Sequence, residues 1–158
     1  MALHIVNISD MKLSTDREDV IVTYSLGSCL GVTAYDPKVG IGAMVHCLLP
    51  HAGAARDKAR ANPYMFVNTG VAMMVRKLMD RGAEKQRIIF KAAGCANMRG
   101  DNLFNTGARN FEALGKLLGR NSVTLAASNV GGTIPRTMFL HLDTGRVVVR
   151  SLGEEKDI

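Results

Sequence analysis

The chain has 158 residues, 47% hydrophobic, 22% charged and 5% aromatic, with a net charge of +6. That length suits one domain, burying roughly 70% of the surface its unfolded form exposes, with no need of disulfide staples. Cys29, Cys47 and Cys95 are odd in number and lack Cys-x-x-Cys spacing, which speaks against a disulfide framework or zinc site and for a reducing, cytoplasmic setting. Met1 to Asp10 has no basic start leading into a long apolar run, and no stretch of about eighteen apolar residues follows, so neither an export signal nor a membrane span is expected. Lys and Arg are scattered and no RNA-binding aromatic signature accompanies them, so nucleic acid is not an expected partner. His4, His51 and His141 are too dispersed for a ligand set, and no metal is expected.

Leu3 to Ile8 and Val20 to Tyr24 read as short strands joined by the polar segment Ser14 to Asp19. Leu30 to Tyr35 and Gly40 to Leu49 read as a β-hairpin around the loop Asp36-Pro37-Lys38-Val39, because Pro37 suits the second position of a type I turn. That loop sets Tyr35 opposite Gly40 and, counting outward, Cys29 opposite His46. Gly31 and Gly42 leave the same face clear for close approach by a substrate backbone. His51 to Pro63 is expected to be a mobile surface loop bordering this region.

Val67, Val71, Met74 and Leu78 define one face of a helix over Tyr64 to Arg81, stopped by Gly82. Arg87 to Ala93 is expected to be a strand, and Gly94 to Asn102 an irregular loop holding Cys95, Asn97, Gly100 and Asp101. A second helix carries Phe111, Leu114 and Leu118 on its buried face, with Asn105 or Thr106 to cap its start and Gly119 to end it. Val123 to Ser128, Thr137 to Leu142 and Arg146 to Leu152 read as strands, the last two joined by Asp143-Thr144-Gly145, and Glu154 to Ile158 as a frayed tail. These elements predict a single α+β domain over residues 1–158, with helices on a largely antiparallel or mixed sheet system.

Thr23 precedes Cys29 by six residues and His46 follows it by seventeen. A thiol beside an imidazole can lose its proton and attack a carboxamide, and a threonine hydroxyl can accept the other ring N–H and hold the ring. Gly27 and Ser28 lead into the cysteine, where backbone N–H groups can form an oxyanion hole. Cys47, adjacent to His46, points to the opposite face of its strand, and Cys95 lacks a nearby histidine. One cysteine and one histidine on strands are also common in plain cores, so the residues alone leave both readings open.

Leu26-Gly27-Ser28-Cys29, Gly42-Ala43-Met44-Val45-His46 with Leu49-Pro50, Asn105-Thr106-Gly107-Ala108-Arg109-Asn110, and Gly131-Gly132 followed by Arg136 resemble the CheD family of chemoreceptor glutamine deamidases over nearly the whole chain. The resemblance implies a sandwich-like architecture shared with other cysteine hydrolases, and hydrolysis of selected receptor glutamines to glutamates. It further implies Cys29, His46 and Thr23 as the catalytic residues, no cofactor, methyl-accepting chemotaxis receptors as substrate, and CheC as a partner where that phosphatase exists. Asn105, Arg109 and Asn110 are expected to organise the start of the second helix near the site. The chain departs from the family pattern at Asn129, where aspartate is commoner, and at Cys95, where a second glycine is usual. A chemotaxis adaptor that binds CheC or receptors without catalysis, and a different thiol hydrolase such as a peptidase or transamidase, are the competing readings.

Overall fold

The chain lays down, in order, β1 (Leu3–Ile5), β2 (Asp10–Ser14), β3 (Val20–Leu26), β4 (Leu30–Asp36), β5 (Ile41–Cys47), α1 (Arg56–Ala61), α2 (Val67–Asp80), β6 (Ile89–Gly94), α3 (Thr106–Arg120), β7 (Leu125–Val130), β8 (Arg136–His141), β9 (Val147–Ser151) and β10 (Glu154–Asp157). This computed structural model describes residues 1–100 and 105–158, so Asp101 and Asn102 of the expected loop lie outside the described residues. The strands form two five-stranded sheets, one ordered β1-β3-β8-β9-β10 and the other β2-β5-β4-β6-β7. Both mix parallel with antiparallel pairs, giving a single α+β domain.

Strands β4 and β5 are buried at every residue, because both faces of their sheet are covered. Leu30, Val32 and Ala34 with Ile41, Ala43, Val45 and Cys47 face a helical layer, where Val67, Val71, Met74 and Leu78 of α2 and Leu114 and Leu118 of α3 complete one core. Tyr35 and Met44 face the other sheet, packing with Ile21, Leu26, Met138 and Leu140. The order is therefore helices, sheet, sheet. Each buried aliphatic side chain contributes about 1.5–3 kcal/mol, and the period of α2 read from the sequence places its stripe correctly.

The hairpin between β4 and β5 forms, but its register differs from the expected one. Gly31 stands opposite His46 and Tyr35 opposite Gly42. The loop is Pro37–Gly40 rather than Asp36–Val39, since Gly40 takes the left-handed conformation (φ +70°) and returns its N–H to Asp36 O at 2.9 Å. Asp36 stays in the strand, its carboxylate held by Arg87 Nε at 3.1 Å and Glu84 N at 2.9 Å. The slip of two positions preserves which face each side chain takes. Gly31 and Gly42 do not open a substrate path: a Cβ at Gly31 would lie 2.9 Å from Leu26 Cδ1, and one at Gly42 would lie 3.0 Å from Leu142 Cδ1. Both glycines let the sheets approach each other.

Four other expectations change. Asp10–Ser14 is a strand that leaves the first sheet and pairs with β5 in the second. The segment His51 to Pro63 contains α1, and α2 begins only at Val67 after a 3-10 turn at Pro63–Met65. Gly119 lies inside α3, which runs to Arg120 and is capped by Asn121, with Ser122 supplying the left-handed residue (φ 55°). The tail is not frayed: Leu152 (φ 51°) and Gly153 (φ 77°) make a two-residue hairpin turn, and Glu154–Asp157 pairs with β9.

Candidate active site

Thr23 on β3 and His46 on β5 come from different sheets, and their side chains meet in the layer between. Both are buried, at 0% and 1% exposure. Thr23 Oγ1 lies 2.7 Å from His46 Nδ1 and 2.8 Å from Val6 O. A carbonyl can only accept, so the hydroxyl proton goes to Val6 and its lone pair receives the Nδ1–H. The ring is thereby fixed with its basic lone pair on Nε2. Nε2 has no hydrogen-bond partner among the described residues, and Cys29 Sγ is not bonded to it. Burial pushes the His46 pKa down to about 4 and the Cys29 thiol above its ordinary value. The resting pair is a neutral imidazole and a neutral thiol.

Cys29 sits in the turn between β3 and β4 and packs on the inner face with Leu26, Met44 and Met138. The expected direct pairing of Cys29 with His46 does not form: Gly31 occupies the position opposite His46, and Cys29 lies two residues earlier, in the turn ahead of β4. The space a side chain at Gly31 would take is filled from the facing sheet, by Leu26 and Met138.

Three successive carbonyls of this turn are held by the body of the protein. Gly27 O accepts from Ala96 N at 2.9 Å, Ser28 O from Asn110 Nδ2 at 3.0 Å, and Cys29 O from Cys95 N at 2.8 Å. Gly94 makes the fit possible, since a Cβ there would lie 2.4 Å from Cys29 O and its φ is +104°. Cys95 adopts φ 55°, a conformation costing an L-residue roughly 1–2 kcal/mol. Arg136 fastens the surrounding strand ends through Asn129 Oδ1 (2.8 Å), Gly94 O (3.0 Å) and Gly131 O (2.7 Å).

The other thiols sit elsewhere. Cys47 points into the helical layer, and burial raises its pKa strongly. Cys95 joins that same layer, and burial, opposed by the Arg136 charge, pushes its thiol up to about 12. Of the expected supporting residues, Gly27 and Ser28 do form the turn, with Met98 over Gly27: a Cβ there would lie 3.2 Å from Met98 Cγ. Asn105 and Arg109 are exposed, and Arg109 shares a surface recess with His51, Glu112 and Lys116. Asn105 stands at the N-terminal boundary of α3 without a capping side-chain bond. The residue that reaches the turn is Asn110, completely buried, whose Nδ2 also donates to Leu48 O at 3.1 Å. Its signal in the sequence is a polar side chain on the stripe Gly107, Asn110, Leu114, Leu118, all buried.

Comparison with known proteins places these features in a family. Residues 48–151 match the family described as CheD chemotactic sensory transduction. The probable chemoreceptor glutamine deamidase CheD of Solibacter usitatus is 40% identical over 155 residues, covering 98% of this chain and 92% of that protein, a span that includes Thr23, Cys29 and His46. That of Symbiobacterium thermophilum is 43% identical over 155 residues, covering 96% and 93%. The chemoreceptor glutamine deamidase CheD of Thermotoga maritima is 39% identical over 134 residues, covering 85% and 83%. On this similarity the chain belongs to the CheD family.

Proposed function

We propose that this protein is a protein-glutamine glutaminase that hydrolyses glutamine side-chain amides of methyl-accepting chemotaxis receptors to glutamates in the cytoplasm. The observation that carries the reading is the bond from His46 Nδ1–H to Thr23, which leaves Nε2 as the basic atom in the buried layer that holds Cys29. The names of the relatives supply the substrate class.

Both partners start neutral, so the proton moves as the bond forms and no standing ion pair is needed. Cys29 Sγ attacks the amide carbon while its proton passes to His46 Nε2, giving a tetrahedral oxyanion. The imidazolium, steadied by Thr23 on its other nitrogen, returns that proton to the amide nitrogen and ammonia leaves a thioester. Water then gives a proton to Nε2 and its oxygen to the acyl carbon, which frees glutamate and regenerates the thiol. Backbone N–H groups of the Gly27-Ser28-Cys29 turn serve as donors for the oxyanion. Each turnover replaces a neutral amide by a negative charge on a helical bundle, and CheC is a partner of the chain where that phosphatase exists.

The test is incubation of the purified chain with a receptor cytoplasmic fragment, followed by ammonia assay and peptide mass spectrometry. Ammonia release with conversion of amide to acid is expected; chain cleavage or amine incorporation in its place sinks the reading. Thr23→Val, which cannot accept the Nδ1–H, is expected to lower kcat by about 10–100-fold, with Thr23→Ser largely restoring it. Equal turnover by Thr23→Val and the native chain would remove Thr23 from the mechanism.

A further inference from the structure

We infer that Asn110 is a positioning residue that aims the backbone N–H of Cys29 at the oxyanion, by holding the peptide plane between Ser28 and Cys29. The inference rests on Cys29 being the nucleophile. Asn110 Nδ2 touches two carbonyl oxygens, Ser28 O at 3.0 Å and Leu48 O at 3.1 Å. Both contacts are acceptors, so the nitrogen of the amide must face them. Its Oδ1 is buried and has no partner among the described residues, so the side chain is kept in a polar-poor place by its donors alone.

A trans peptide unit is planar, with C=O and N–H pointing in opposite directions, and none of the peptide bonds is cis. Fixing Ser28 O therefore fixes the Cys29 N–H on the opposite side. Asn110 comes from α3, whose Leu114 and Leu118 pack in the helical layer. Cys29 packs in the other layer, beside Leu26 and Met44. The Cys29 N–H is thus turned away from the helices, toward the side that holds the thiol and His46. The bonds from Ala96 N to Gly27 O and from Cys95 N to Cys29 O hold the flanking planes, leaving the middle plane dependent on Asn110.

The inference separates two reactions of one thiol. Acylation of Cys29 by p-nitrophenyl acetate passes through an oxyanion; alkylation by iodoacetamide does not. Asn110→Leu is expected to slow acylation by about 100-fold, the loss typical of one hole donor, while alkylation of Cys29, followed by peptide mapping, keeps nearly its native rate. Asn110→Ser, too short to reach Ser28 O but without extra bulk, is expected to show the same split and serves if the leucine variant fails to fold. A parallel fall in both rates would mean that Asn110 only holds the turn and the His46 strand together, and would overturn the inference, as would unchanged acylation. Ester acylation by a native chain that releases no ammonia from a receptor fragment would count against the receptor assignment, and the two rates would still decide the role of Asn110.

Discussion

Cys29→Ala is expected to lower kcat for ammonia release by at least roughly 10⁴-fold while the protein stays folded. The chemistry is lost because no other thiol can substitute: Cys47 and Cys95 lie in the helical layer with raised pKa values. The fold survives because the turn is held through its carbonyls, to Ala96, Asn110 and Cys95, and none of those bonds uses the sulfur. Removing one sulfur from contact with Leu26, Met44 and Met138 costs about 1–2 kcal/mol at most. Ammonia release and thermal unfolding measured on the same preparation check both halves. Retained conversion would transfer the nucleophile elsewhere. Were the protein instead an adaptor for CheC or receptors, its regulatory effect would persist in this variant.

His46→Gln is expected to lower kcat by about 10²–10⁴-fold and also to change how stability depends on pH. In the folded chain burial holds the His46 pKa at about 4, against an ordinary 6.5. Between those values the unfolded chain binds a proton that the folded chain does not, so native stability falls as pH drops from about 6.5 to about 4. The loss amounts to roughly 3 kcal/mol. The glutamine variant lacks this slope. Asp19 titrates in a separate, lower window: hydrogen bonds from Ser14, His4 and Ala2 N hold its pKa at about 2, so its contribution fades only below the ordinary carboxylate range. Urea unfolding at a series of pH values distinguishes the two. In activity, the acid limb of kcat/KM is expected near pH 4; a limb near 6.5 would mean that His46 is solvated in the working enzyme.

Much of the arrangement was legible from local rules. The stripe Val67, Val71, Met74, Leu78 is buried as its spacing requires, and the strand period puts His46 and Cys47 on opposite faces. The hairpin register was not legible, because Pro37 favours a loop one residue earlier and only the left-handed Gly40 and the Arg87 grip on Asp36 decide against it. Strand β2 was too short to announce itself, and its existence depends on the edge that β5 offers. Strand β10 required Leu152 at φ 51°, a conformation leucine seldom signals. At the site, the structure joins the expected Thr23 and His46 by a hydrogen bond, whereas the Val6 carbonyl that directs the Thr23 proton and the reach of Asn110 across the turn are products of tertiary packing. A buried imidazole with an unpartnered Nε2 is a cost to the fold, of the kind that sites retain for chemistry.

Thr23, Cys29 and His46 all fall within the first 46 residues, yet β3 is zipped to β8, with Thr23 beside Met138. The residue that orients the ring is therefore seated by a strand from the C-terminal part of the chain, so damage to β8 would reach His46 through Thr23.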